Sequence, residues 1–180
     1  MYNFLELDKI TRKWMLEEFL NEQNSGQPYL STQLTNSGKK VFLIEMQKAI
    51  TSSSGNEITL GKAIMNPSCW RPSYIDKRGR TISINPQASA QRLAQTEFNT
   101  WYVRGLARRL IEEKVDLCEV YRAGSAEDPR TECTSWEGKT FKVQDIYNGH
   151  RARYWPLPGN PGAFSVPSGP NCHHSIKRIK

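Results

Sequence analysis

The sequence predicts a mixed α+β fold: a helical N-terminal half, a long central helix, a small antiparallel sheet and an extended Pro/Gly-rich C-terminal arm. Three observations lead there. The first sixty residues carry apolar side chains at three-to-four spacing, interrupted by Asn/Ser/Gly clusters. Residues 86–113 form the longest uninterrupted helical signal. Beyond it, residues 117–122, 139–143 and 174–179 alternate as short strands do.

The first helix opens at Asp8, a good cap, with Ile10, Trp14, Met15, Phe19 and Leu20 as its apolar set, and ends at Asn24-Ser25-Gly26. Asn36 or Ser37 opens the second, which presents Val41, Ile44 and Lys48 on one stripe and Phe42, Met46, Ala49 and Ile50 beside it. Asn56 caps a short third helix through Ile64. Residues 66–84 read as irregular, because two prolines forbid a helix; the exception is a strand at Thr81–Ile84, after a loop tip at Asp76–Arg80.

Asn85 and Pro86 suit the N-cap and first position of the long helix. Ala94, Phe98, Trp101, Tyr102, Gly105 and Leu106 share one face, and Arg109 intrudes on it, so Arg109 needs an internal carboxylate or another subunit as partner. Glu97, Arg104 and Arg108 flank that face and read as an intrahelical salt-bridge strip. Prolines 156, 158, 161, 167 and 170 with glycines 159, 162 and 169 then make the arm.

At 180 residues and 20.6 kDa, the chain suits one compact body composed of residues 1–84 and 85–180. It has no stretch of 18 apolar residues, so no membrane span is expected, and its opening residues lack the apolar core of a secretory leader. The net charge of +7 splits as +3 over 1–84 and +4 over 85–180, a moderate and spread excess.

The chain contains no P-loop, GxGxxG, GxSxG or HExxH motif, and no catalytic residue or cofactor is assigned. Cys133, Cys172 and His174, with Cys118 and His173, are the residues that could ligate zinc, but gaps of 15 and 39 residues between the cysteines argue against a metal site. Arg151, Arg153, Lys177, Arg178 and Lys180, with Tyr154 and Trp155 interleaved, are the candidate nucleic-acid contacts, and the 77–80 loop is a further basic element. Trp155, Leu157, Phe164, Val166 and Ile176 are the candidate interface anchors. The last strand could pair within the domain or with a neighbouring chain. Removal of residues 156–180 is expected to leave a soluble helical body.

The segment LAQTEFNTWYVRG at 93–105, the later EVYRAGSAEDPR, and the opening residues Phe4, Leu7, Asp8, Thr11, Arg12, Met15, Leu16 and Glu18 resemble a family of uncharacterised tailed-phage structural-gene proteins through most of the chain. Residues 93–180 also resemble the Mu F-like minor head (head morphogenesis) proteins: Ala94, Thr96 and Glu97 on the helix, then Asp128, Arg130, Thr131 and Cys133, then Gly138, then Pro170, Asn171, Cys172 and Ile176. Gly169 replaces that family's usual His, His174 its last Cys, and the turn holds only Cys133, so no family metal site carries over.

The resemblance implies a bacteriophage virion structural protein at the neck (head–tail connection) or associated with the capsid. It would be a homo-oligomer touching portal, major capsid or tail proteins, with packaged double-stranded DNA as a non-specific contact and no membrane. Its place would be the virion, and the host cytoplasm during assembly. Two other classes compete: a nucleic-acid-binding or nuclease-type effector using His150, His173 and His174, and a small zinc-stabilised adaptor.

Overall fold

A computed structural model describes residues 1–26, 28–76, 78–125, 134–151, 165–170 and 172–179. The expected α+β architecture is present: among the described residues five α-helices accompany two small antiparallel sheets. No helix among them is long and apolar enough to cross a membrane.

Helix α1 (Lys9–Asn24) starts where the Asp8 carboxylate accepts the Thr11 amide at 2.8 Å. Helix α2 (Asn36–Thr51) is capped by Thr35, one residue earlier than expected, through a 3.0 Å bond from the Gly38 amide. Of its two apolar stripes, Phe42, Met46, Ala49 and Ile50 are buried, whereas Ile44 faces solvent. Ile10, placed in the apolar set of α1, is likewise exposed. Helix α3 (Glu57–Ala63) carries a capping box between Asn56 and Thr59.

Residues 66–84, expected to be irregular apart from one strand, hold a 3-10 turn at Pro67–Cys69 and a hairpin of β1 (Ser73–Ile75) and β2 (Thr81–Ser83). Only its second strand is legible in the alternation. The first is three residues long and follows Pro72, which leaves no periodicity to read.

Helix α4 (Pro86–Glu112) is about 40 Å long at 1.5 Å per residue and forms the spine. Helices α1 and α3 pack on it, burying Phe98, Trp101, Tyr102, Leu106 and Leu110 against Met15, Phe19, Leu60 and Ile64. The α1 crossing requires Gly105: a Cβ there would lie 2.5 Å from Met15 Cγ and 2.6 Å from the Met15 backbone nitrogen. Arg12 closes the other side of α1. Its buried guanidinium donates to the carbonyls of Ala49, Ile50 and Gly55 at 2.8–3.1 Å, satisfying the end of α2.

The second sheet has the order β4-β3-β5, with β3 (Leu117–Arg122) central, β4 (Thr140–Lys142) and β5 (His174–Arg178) at the edges. The Val120 carbonyl accepts from Gly138 while its amide donates to Lys139, so two residues oppose one in a β-bulge, and Gly138 supplies the φ of +76° this needs. The strand expected over 139–143 ends at Lys142; Val143 instead opens α5 (Val143–Asn148), whose Val143 and Ile146 enter the core.

Residues 2–6 stitch the two halves together. The Tyr2 amide donates to Glu57 Oε1 (2.8 Å), the Asn3 amide to the Ala123 carbonyl (2.7 Å), and the Glu6 amide to Tyr102 Oη (3.1 Å). Tyr2 Oη also reaches the Cys172 carbonyl at 3.2 Å.

The fate of the arm is partly visible. Residues 165–169 are buried, and Ile176 is fully enclosed by the chain's own core. The expectation that residues 156–180 separate cleanly from a helical body is therefore corrected: their removal would take away an edge strand and the core positions Val166 and Ile176. Trp155, Leu157 and Phe164 lie outside the described residues.

Candidate functional site

Arg151, expected to face nucleic acid, lies instead inside the protein. Helix α5 ends at Asn148, and a turn with Arg151 at φ +54° directs its guanidinium back to the spine. Nη1 and Nη2 donate to the two oxygens of Glu97 on α4 at 3.1 and 2.6 Å, and Nε donates to Glu22 Oε2 of α1 at 2.9 Å. The Arg151 and Glu97 side chains are each 1% exposed. The guanidinium lies over the rings of Tyr29 and Trp101, 4.7 and 5.2 Å from their centroids. Burial alone would lower its pKa, but the carboxylates of Glu97 and Glu22 outweigh burial and raise it.

His150 joins the cluster through Nε2, 3.1 Å from Glu22 Oε2. Burial dominates and pulls its pKa from 6.5 down to about 4, so the ring is neutral at pH 7. Burial would raise the Glu22 pKa, but His150 and Arg151 hold it down at about 2. Beside them Arg104 donates to Glu18 Oε2 at 2.7 Å and stacks 3.4 Å from the Tyr147 ring, whose hydroxyl donates to Glu18 Oε1 at 2.9 Å. This cluster ties α1, α4 and α5 together where residues 152–164 depart. An arginine fixed by two carboxylates and two ring faces can anchor a segment; its donors are already engaged, which leaves it poorly placed to take a phosphate.

The expected intrahelical strip on α4 is thereby corrected. Glu97 and Arg104 pair across elements, with Arg151 and Glu18; of the three, Arg108 is the one that pairs along the helix, with Glu112 at 2.6 Å. The partner sought for Arg109 is internal: Asp8 and Glu113, each at 2.8 Å, with Thr11 Oγ1 at 2.9 Å.

The candidate metal ligands Cys172 and His174 do meet. Sγ lies 3.9 Å from Nδ1, and Nε2 lies 3.4 Å from Glu137 Oε2, which also accepts from Arg122 Nε at 3.0 Å. Burial would raise the Cys172 thiol, but His174 prevails and lowers it to about 7. The hydrogen bond to Cys172 raises His174. Among the described residues no group of three His, Cys, Asp or Glu side chains is arranged to hold a metal ion. Cys133 lies outside them, and Cys118 on β3 directs its Sγ to the Phe141 carbonyl. The three histidines keep separate company: His150 with Glu22, His174 with Cys172, and His173 stacked on Tyr2.

Two further basic candidates are also engaged. Lys177 pairs with Glu119 at 2.9 Å, and Arg178 with Glu6 and Glu113. Arg153 and Lys180 lie outside the described residues. Of the interface candidates, Val166 (6% exposed) and Ile176 (0%) fill this chain's own core and present nothing to a neighbour. The outer edge of β5, offered as a pairing edge, is closed from both ends: Asn99 Nδ2 donates to the His174 carbonyl at 2.8 Å, and Glu6 Oε1 accepts the Arg178 amide at 2.7 Å.

Sequence reasoning missed Glu22 and Glu137 and gave Glu18 no partner. Each meets a partner at least 15 residues away, a relation that local spacing does not encode. No protein-family model, curated protein or solved structure matches this chain.

Proposed function

We propose that the chain is a tailed-bacteriophage virion structural protein, acting at the neck or on the capsid through contacts repeated between copies and with other virion proteins. One observation supports this most. The residues that carry the sequence resemblance build the frame. Asp8 caps α1, Arg12 closes α2, Met15 seats on Gly105, Glu18 holds Arg104, Glu97 holds Arg151, Gly138 makes the bulge and Ile176 fills the core. A motif spent on architecture suits a part whose work is to hold a shape among neighbours.

In this reading the segment between Arg151 and Ser165, with Trp155, Leu157 and Phe164 as anchors, supplies the contacts between molecules. Its two flanks, Arg151 on one side and residues 165–169 on the other, are buried in the frame. The test is the mass of the purified protein by light scattering, together with its incorporation into particles. A closed ring, or a monomer that enters particles, supports the reading. Joint replacement of Trp155, Leu157 and Phe164 by Ala should abolish that assembly while leaving the helical signal intact. A monomer that ignores capsids and portals overturns it.

A further inference from the structure

Division of the chain at residue 84 hides a concentration of charge. Between Glu57 and Glu97 the sequence holds six basic residues (Lys62, Arg71, Lys77, Arg78, Arg80 and Arg92) and one acid, Asp76, a net of +5 out of the whole chain's +7. The fold places Arg71, Arg78 and Arg80 on one projection. The β1–β2 hairpin packs chiefly on itself, closed at its base where the Ile84 amide donates to the Pro72 carbonyl at 2.9 Å. Arg71 sits at that base and donates its amide to the Gln33 carbonyl. Gln33, Tyr74 of β1 and Arg92 of α4 line one shallow cavity of about 320 Å³. Arg78 lies at the tip.

Arg71, Arg78 and Arg92 are exposed, and none has an acidic partner among the described residues. Arg80 spends part of its charge on Asp76, 2.7 Å away. This is the reverse of the C-terminal cations, where Arg151, Lys177 and Arg178 are all paired with carboxylates.

We propose that the β1–β2 hairpin, with Arg71, Arg78 and Arg92, is a binding surface for the phosphate backbone of double-stranded DNA. Unpaired guanidiniums are strong phosphate donors. The exposed Thr81 and Ser83 of β2 add neutral hydroxyl donors of the kind that accompany arginine at phosphates. A two-stranded ribbon is also of a size that the duplex major groove, about 12 Å wide, admits. The binding would be insensitive to sequence and dominated by release of counterions. The site takes the place of Arg151, Lys177 and Arg178 as the DNA contact. It rests on the virion reading only for the biological source of the DNA.

The test is fluorescence anisotropy of the full chain with a labelled 30-base-pair duplex over a range of NaCl concentrations. Joint substitution of Arg71→Ala, Arg78→Ala and Arg92→Ala should weaken binding at low salt and reduce the magnitude of the log K against log salt slope by about 2–3, at roughly 0.9 per phosphate. Lys114→Ala, just beyond the end of α4 and so about 30 Å from Arg92 at 1.5 Å per helical residue, should leave the slope unchanged. The inference is overturned by an unchanged slope in the triple variant, or by absence of binding by the intact chain at 50 mM salt, a chosen low-salt condition. Displacement by polyglutamate as efficient as by unlabelled duplex would point to an acidic protein surface and also overturn it. A chain that enters particles yet fails this test loses only the DNA surface; one that binds DNA through the hairpin yet never assembles loses only the virion reading.

Discussion

Arg151 and Arg78 carry the same guanidinium in opposite circumstances. The first is sealed between Glu97, Glu22 and two aromatic faces, with its donors used inside the protein. The second stands on a hairpin tip without an acidic partner among the described residues. The lesson is that a basic residue's work is set by the acids the fold brings to it. A local count of charge puts both in one class; only the tertiary arrangement separates an internal bolt from a surface open to an outside anion.

The comparison breaks first at the bolt. Arg151→Ala would strand the buried Glu97 carboxylate and deprive the partly buried Glu22 of its guanidinium partner, and should cost about 3–5 kcal/mol, read as a lower urea midpoint. A loss below about 1 kcal/mol would show that Glu97 and Glu22 do not depend on it. Next comes the surface on which the bolt closes. Gly105→Ala drives a methyl group into the Met15 backbone and should cost about 1–3 kcal/mol in the same measurement.

Acid sharpens the contrast. Between pH 6.5 and 4 the unfolded chain takes up a proton at His150 that the folded chain refuses, so stability should fall as pH drops through that window. Glu22 adds a second loss of the same sign, since its contribution is complete above 4.5 and disappears as pH falls toward 2. Urea midpoints at pH 7.5, 6 and 5 should decline in order, and His150→Gln should flatten that decline. The surface end should be quiet. Lys177→Ala removes a half-exposed pair with Glu119 and should cost between about 0 and 1 kcal/mol. Arg78→Ala should change stability by less than about 0.5 kcal/mol, its effect being confined to DNA binding.

Much of the frame could be read before any coordinates because its signals are local. Asp8, Asn56 and Asn85 with Pro86 mark helix starts through bonds that span two or three residues, and the alternation over 117–122 gives the central strand. The three-residue β1 was not readable because Ser73-Tyr74-Ile75 does not alternate as the equally short Thr81-Ile82-Ser83 does, and α5 because six residues are too few to establish a helical period. The side of α2 facing the core was ambiguous for a different reason: two apolar stripes lay side by side, and only packing decided between them. The ion cluster was least legible. Glu97 and Arg151 are 54 residues apart, and Glu22 and Arg151 are 129 apart. The basic stretch was present in the sequence throughout but was averaged out against the acids of residues 1–57.

The stitching by residues 2–6 bears on the order in which the molecule can be completed. Asn3 is held by Ala123, and Tyr2 by a carbonyl 170 positions downstream. During synthesis the Tyr2 hydroxyl must therefore wait for its partner until residue 172 has been made, long after Glu57 and Tyr102 are available to the Tyr2 and Glu6 amides. Closure of so large a loop makes this a late, slow step in folding. A nascent chain stalled before residue 172 would carry its helices but leave the Tyr2 hydroxyl unbonded and one edge of β3 open, a patch for a chaperone or for another unfinished copy.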